Sequence, residues 1–277
     1  MPSAYEDIFA EWSPPILVTC SLIVFGIVYM HGWLAIRRTR LLAFSIVRLG
    51  SFLLGLAVIW VAIASPLDGF ADMLLSAHMV EHLLLMSLAP PLLLLGWPVV
   101  PMLRGLPRSF TVGVLGPLLR SKGLRESGRM LTTPLAAWLT MNLIFLGWHV
   151  PAAYDFALEH EQWHEFEHLC FLGSSILFWW PVVRPWPAHK ISYGWILLIY
   201  LVMADIVNTA LSAFLVFCDR PVYPYYLREP NPFGIDPLSD QRAGAVVMWV
   251  VGSVVFLIPA VALAYQLLQS ESRHRLR

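Results

Sequence analysis

The chain contains few charged residues and few cysteines, and both shortages narrow the classes of protein that it can be. Only 13% of its 277 residues are charged, whereas 58% are hydrophobic and the mean hydropathy is +0.68. A soluble domain of this length could not cover so much apolar side chain, so the composition predicts a polytopic membrane protein. The three cysteines, Cys20, Cys170 and Cys218, form no CxxC pair and indicate no disulfide framework.

The sequence also has no basic segment with interleaved aromatic residues, which argues against nucleic acid as a partner. Its first twelve residues carry Glu6, Asp7 and Glu11 instead of the basic stretch that opens a cleavable signal. We therefore expect the first apolar run to stay in the protein as a membrane span. Since no repeat of fixed period and no second domain is evident, we interpret 1–277 as a single transmembrane domain.

Seven apolar segments are long enough to cross a bilayer core of about 30 Å, which takes roughly 20 residues of helix. The sequence therefore predicts an all-α membrane protein with seven transmembrane helices. Pro90 and Pro91 should kink the third helix, because proline removes backbone donors in mid-membrane. The spans are predicted near 14–36, 45–64, 72–96, 133–150, 160–183, 192–217 and 242–268.

The distribution of basic residues predicts the orientation. All but three of the 18 Lys and Arg residues fall on one side of the predicted spans, and the positive-inside rule makes that side cytoplasmic. The N-terminus is then outside and the C-terminus cytoplasmic. We expect the basic loop at 97–132 to lie on the inner membrane surface, and the loop at 218–241, rich in Pro and Tyr, to cover the outer helix ends.

Six of the nine histidines fall on the predicted outer side, and most of them have helical spacing. In the segment WHVPAAYDFALEHEQWHEFEH (148–168), three histidines occur at i, i+4 and i+8, which places them on one stripe of a helix. Two more at i and i+4 occur in the third span, and a methionine extends their stripe by one turn. Imidazole is a common ligand of transition metals, so we predict a metal site. Its candidate ligands are His78, His82, His149, His160, His164, His168 and Met86.

Several other polar side chains accompany these histidines. Glu81, Asp155 and Glu167 are expected to hold the hydrogen bonds that fix ring orientation. Asp240 is expected either to cap the last helix or to bond to a site histidine. Asp205, in the middle of the sixth span, is expected to be a proton or ion waypoint or a single structural hydrogen bond. Histidines near a membrane interface also cap helices or bind water, and a purely structural role for the histidines is the alternative.

Three segments resemble the polytopic CtaG family of assembly factors for caa-type cytochrome c oxidases. They are HMVEHLLLMSLAPPLLLLGWP (78–98), the segment 148–168 together with FWWPVV (178–183), and PLSDQRAGAVVMW (237–249). The resemblance implies a seven-helix protein of the bacterial cytoplasmic (inner) membrane that helps to mature a haem–copper oxidase, at copper insertion. It also implies an oxidase subunit, an outer-face copper donor and the lipid bilayer as partners. The family motif residues correspond to His78, His82, His149, His164, His168 and Asp240.

Three functions are compatible with these patterns. The first is a non-catalytic assembly factor that holds copper, as Cu(I), in a His/Met cluster and releases it to the oxidase; thioether and thiol ligands suit copper better than magnesium or calcium. The second is a seven-span zinc hydrolase, in which a metal-bound water attacks an amide. The third is an electron-transfer protein that binds haem between two histidines.

Overall fold

The computed structural model describes residues 12–38, 44–185, 194–228, 231 and 233–275, so the predictions made for Glu6, Asp7 and Glu11 lie outside the described residues. The described chain is helical and contains no β-strand. Its helices, in chain order, are α1 (Ile16–Arg37), α2 (Ile46–Ala64), α3 (Pro66–Ala71), α4 (Leu75–Leu95), α5 (Val99–Gly105), α6 (108–120), α7 (Lys122–Leu131), α8 (Pro134–Trp148), α9 (Pro151–Leu158), α10 (Glu161–Val183), α11 (Trp195–Phe217), α12 (Tyr225–Arg228) and α13 (Pro237–Arg275).

The described part of the chain has six helices long and apolar enough to cross a membrane: α1, α2, α4, α10, α11 and α13. A seventh candidate is the pair α7 and α8, whose axes are bent by 73°. With 15 residues, α8 alone rises about 22 Å, less than the bilayer core. An all-helical fold with six or seven candidate spans is thus confirmed for the described residues, whereas the fourth span and the predicted sidedness stay predictions.

The last helix begins earlier than the sequence suggested, because its cap is a different aspartate. The predicted span was 242–268, whereas α13 starts at Pro237, a residue that favours the first position of a helix. The Asp236 carboxylate accepts hydrogen bonds from the backbone N–H of Ser239 (3.0 Å) and from its hydroxyl (3.1 Å). Asp236 therefore caps α13, and the prediction that Asp240 caps this helix is wrong.

The two prolines of α4 are accommodated by a wider turn instead of a break. A π-helical turn covers Leu84–Leu88, directly before Pro90 and Pro91, and the helix then continues to Leu95. Since Pro90 has no N–H to offer, the Met86 carbonyl lacks its usual helical donor. Nε1 of Trp179 on α10 donates to that carbonyl at 3.3 Å. The predicted kink is therefore a π-helical turn that is tied to α10.

One end of the bundle is covered by α3, α9, α12 and the start of α13. The Tyr226 hydroxyl donates to the Ala71 carbonyl at 3.0 Å, and the Tyr223 hydroxyl donates to the His149 carbonyl at 3.3 Å. Both tyrosine side chains are buried. The described part of the loop after α11 thus packs over the helix ends, as the sequence predicted. We call this end of the bundle the capped end.

Towards the opposite end, α1 and α5 cross with their backbones in contact. A Cβ atom on Gly32 would lie 1.9 Å from the Pro101 carbonyl oxygen, and one on Gly105 would lie 1.8 Å from that of Val28. Neither position has room for a side chain, so this crossing requires glycine on both helices. The basic helices α6 and α7 have no buried residue among those described.

Candidate metal site

Helices α4 and α10 carry the same five-residue pattern, HxxEH, at 78–82 and at 164–168. The first, fourth and fifth positions of such a pattern share one helical face. The two helices pack so that these faces meet near the capped end: the ring centroids of His78 and His164 are 5.2 Å apart, and those of His82 and His168 are 5.7 Å apart. Four imidazoles from two helices therefore form one cluster, which we call the histidine cluster.

The glutamates of the two patterns reach across to the opposite helix. An oxygen of Glu81 lies 3.4 Å from Nε2 of His168, and an oxygen of Glu167 lies 3.8 Å from Nε2 of His82. Two ligands on one tetrahedral ion, each bonded at about 2.0–2.1 Å, are about 3.4 Å apart. The Glu81–His168 pair therefore has the spacing of two ligands of the same ion, and the Glu167–His82 pair is wider.

Two groups of three residues have ligand atoms that all lie within 4.8 Å of one another. Both contain His78, and each combines two histidines with one carboxylate, a set that binds borderline transition metals. The groups are His78, His82 and Glu167, and His78, Glu81 and His164.

The polar atoms of this cluster are buried and poorly satisfied by the protein. His78 and Glu81 are completely buried, and His82, Glu167 and His168 are nearly so. Within the described residues, many of their polar atoms have no hydrogen-bond partner at normal geometry: both ring nitrogens of His78 and His82, both carboxylate oxygens of Glu81 and Glu167, and Nε2 of His164 and His168. Buried polar groups without partners cost about 1–3 kcal/mol each. A cation held among these atoms would satisfy several of them at once, so the residues fit a metal ion.

A groove of about 490 Å³ reaches this cluster from the side. It is lined by residues from α1 and α10, and His164 and His168 stand in its wall. Acidic side chains of Asp68, Glu161 and Glu165 also line it. Burial, together with the charge of Asp72, raises the pKa of Asp68 to about 6. Negative charge along the groove favours the approach of cations.

Asp240 positions the helix that carries His78. Its carboxylate accepts hydrogen bonds from the backbone N–H of Leu75 (2.6 Å) and of Ser76 (3.3 Å), and from the Ser76 hydroxyl. These donors lie at the first turn of α4, so Asp240 caps α4 from the start of α13. The expected bond to a site histidine is not among the hydrogen bonds of Asp240 in the described structure.

Comparison with known proteins places this arrangement in a family. The family model described as cytochrome c oxidase caa3 assembly factor (Caa3_CtaG) matches residues 27–270, which include both HxxEH patterns and Asp240. The chain belongs to this family.

Among curated proteins, this chain is similar to uncharacterized proteins of three mycobacteria. It is 25% identical to one of Mycobacterium leprae over 276 residues, covering 97% of this chain and 41% of the relative. It is 27% identical over 284 residues to one each of Mycobacterium bovis and Mycobacterium tuberculosis, covering 98% of this chain and 42% of each relative. The chain thus spans about two fifths of the length of these relatives. No solved structure matches it.

The structure places His160 outside the histidine cluster. Helix α10 begins at Glu161, and His160 precedes it in an extended conformation (φ −139°, ψ 98°). Its side chain is exposed, and its Nδ1 donates to the Phe156 carbonyl at 2.9 Å. The predicted stripe of three histidines is therefore wrong, because a residue before the helix does not share the face of the next two.

Two of the predicted acids also lie away from the cluster. Asp155 accepts a hydrogen bond from the Tyr225 N–H at 3.3 Å and pairs with Arg228 at 3.4 Å, so it links α9 to α12 instead of orienting a histidine. Asp205 belongs to neither ligand group. One of its oxygens is buried without a hydrogen-bond partner among the described residues, and its role as a waypoint stays a prediction.

His149 and Met86 adjoin the cluster but are in neither ligand group. Both line a small cavity that His82 also borders, on the side of the cluster away from the capped end. The sequence predicted Glu81 and Glu167 as residues that orient the histidines, and each of them belongs to one of the two ligand groups; Asp68 was not predicted.

Proposed function

We propose that this assembly factor binds copper at the histidine cluster and delivers it to a haem–copper oxidase of the caa3 type. The observation that carries the proposal is the convergence, from α4 and α10, of buried imidazoles and carboxylates whose ligand atoms lie within 4.8 Å and are unsatisfied by protein hydrogen bonds. Delivery requires exchangeable ligands and a route to the surface, and the groove beside His164 and His168 supplies the route.

The sidedness of the chain supports loading from outside the cytoplasm. Basic residues concentrate in the loops away from the capped end, and the positive-inside rule puts those loops in the cytoplasm. The histidine cluster then lies near the outer face, and a copper donor on that face is the proposed source. An oxidase subunit is the proposed recipient.

The ligand set favours copper on chemical grounds as well. Among divalent first-row metals, nitrogen and oxygen ligands bind Cu²⁺ most tightly and Zn²⁺ less tightly. The set of two histidines and one glutamate is equally that of a catalytic zinc site, so a zinc-dependent membrane hydrolase is the second candidate. A haem would have to separate His78 and His164, whose rings stack at 5.2 Å, and the bare ion is the better fit.

The proposal is tested in a bacterium that makes a caa3-type oxidase and lacks its own copy of the gene. The deletion strain is complemented with wild type, His164→Ala or His160→Ala, and the copper content of the purified oxidase is measured. We expect His164→Ala to leave the oxidase deficient in copper, and His160→Ala, the matched control, to restore it.

Normal oxidase copper with His164→Ala, at wild-type amounts of protein in the membrane, would rule out delivery through this cluster. Zinc-dependent turnover of a lipid amide by the purified chain, lost in the same variant, would favour the hydrolase.

A further inference from the structure

Four methionines surround the small cavity beside the histidine cluster. The cavity has a volume of about 30 Å³, enough for one or two water-sized occupants. Its walls include Met79 and Met86 from α4, Met141 from α8 and Met248 from α13, and all four side chains are buried. We call this cavity the methionine chamber.

A histidine with a free lone pair completes the wall. Nδ1 of His149 lies 2.7 Å from the Phe145 carbonyl, which can only accept, so Nδ1 carries the proton in the neutral ring. Nε2 is then the unprotonated nitrogen, and it is buried with no hydrogen-bond partner in the described structure. Metal-binding histidines commonly have this arrangement, in which a backbone carbonyl fixes the tautomer and the other nitrogen ligates.

Two amides on the chamber wall direct their N–H groups elsewhere. Asn142 donates to the Trp138 carbonyl at 2.8 Å, and Asn208 donates to the Met248 carbonyl at 3.3 Å. These amide donors do not satisfy the lone pair of His149. The wall therefore offers neutral soft ligands and an unpaired imidazole nitrogen.

We propose that the methionine chamber is a second metal site, selective for a soft monovalent ion, Cu(I), held by methionine thioethers and Nε2 of His149. Thioether sulfur prefers Cu(I) to the harder divalent ions, whereas the carboxylate ligands of the histidine cluster favour divalent ions. Neutral ligands suit a monovalent cation in a buried site, and the Glu167 carboxyl group lies 3.8 Å from His82, which also borders the chamber.

The chamber and the cluster meet at one residue. His82 borders the chamber and also belongs to the ligand group of His78 and Glu167. An ion can thus move between the two sites by exchanging ligands around a single imidazole. For the identity of its ion, this inference rests on the proposed function; for the existence of the site, it rests on the chamber alone.

The test measures binding of Ag(I), a redox-inert probe for Cu(I), to the purified full chain in detergent. All proteins carry Cys20→Ser, Cys170→Ser and Cys218→Ser, because thiolates also bind silver. The test variant is Met141→Leu/Met248→Leu, which keeps the side-chain volume and removes two thioethers. The control is Met30→Leu/Met203→Leu, two exposed methionines outside the chamber. Bound silver is counted by mass spectrometry after gel filtration with a competing chelator.

We expect the test variant to lose one equivalent of Ag(I) and the control to lose none. Equal silver in the two variants would overturn the proposal. A second measurement needs no methionine replacement and so does not depend on how a variant folds. The protein is made with selenomethionine and loaded with Cu(I), and X-ray absorption at the copper edge should show copper–selenium scattering. Absence of this scattering would also overturn the proposal.

A third variant separates this inference from the proposed function. His164 belongs to the histidine cluster and does not line the chamber. In His164→Ala, the Ag(I) equivalent assigned to the chamber should persist, whereas divalent copper binding falls. Loss of silver in this variant would mean that the chamber is not a separate site.

Discussion

The carboxylate of Asp240 accepts a hydrogen bond from the N–H of Leu75 at 2.6 Å, across 165 residues of sequence. The first amides of a helix have no partner within the helix, and a carboxylate at this position satisfies them and complements the helix dipole. The bond fixes the start of α4 three residues before His78. The last span of the chain thus holds the first HxxEH pattern in place.

Replacing Asp240 should therefore weaken both stability and metal binding. For Asp240→Ala we expect a loss of about 1 kcal/mol in stability, the usual cost of removing a cap. We expect copper affinity to fall roughly 10–100-fold, as for other residues that orient metal ligands. Thermal unfolding in detergent and a copper titration measure the two effects. Asp219→Ala, at an exposed position, is the control and should change neither; an unaltered affinity in Asp240→Ala would contradict the positioning role.

Glu81 and Glu167, which each reach a histidine of the opposite helix, should affect metal affinity more than folding. Glu81→Gln/Glu167→Gln keeps the shape of both side chains but removes the charges that would neutralise a buried cation. We expect at least a tenfold loss in copper affinity, measured by chelator competition, with the gel-filtration profile preserved. Glu126→Gln, on the exposed helix α7, serves for comparison. Wild-type copper affinity in the double variant would show that the two carboxylates do not bind the metal.

Asp68 should give the metal-free protein a pH-dependent stability. Its pKa in the fold is about 6, above that of an unfolded aspartate, so the folded state binds its proton more tightly. The protonated carboxyl group therefore favours the folded state at low pH. The free energy of unfolding falls as the pH rises from about 4 to about 6, and it stays at the lower value above that. We expect Asp68→Asn to melt at a higher temperature than wild type at pH 7.5, and the difference to shrink towards pH 4. A difference that does not change with pH would show that Asp68 titrates normally.

Trp179 should stabilise the π-helical turn of α4 through its bond to the Met86 carbonyl. Trp179→Phe removes the donor and leaves a buried carbonyl unsatisfied, for which we expect a cost of about 1–2 kcal/mol. Trp163→Phe, at an exposed position of the same helix, is the control for a Trp→Phe change at a position that does not make this bond. The melting temperatures of Trp179→Phe and Trp163→Phe are compared in detergent. Equal values would mean that the bond contributes nothing to stability.

Much of the fold could be predicted because bilayer thickness sets a length that apolar runs must reach. The ends of helices were less predictable, since they depend on caps: Asp236, not Asp240, starts α13, and His160 precedes α10 instead of belonging to it. Histidine spacing predicted which side chains share a face within one helix. It could not predict that α4 and α10 would be neighbours, because periodicity contains no information on which helices pack together.

The packing partners of the other site residues could not be predicted for the same reason. Asp240 reaches α4 from a segment far along the chain, and the methionine chamber collects side chains from α4, α8 and α13. Met86 was a predicted ligand because it extends the histidine stripe of its helix, whereas Met141 and Met248 look like ordinary apolar core in their own helices. Their common property emerges only when the helices are packed.

The central claim is that the histidine cluster binds copper, and the most direct test is the copper content of the purified protein. Wild type, His78→Ala/His164→Ala and the control His31→Ala/His160→Ala are expressed with copper, purified in the same detergent, and analysed for metal and visible absorption. We predict copper in wild type and in the control, a loss of the equivalent bound at the histidine cluster in the cluster variant, and no Soret band in any of them. Equal copper in all three, or none in wild type, would contradict the account.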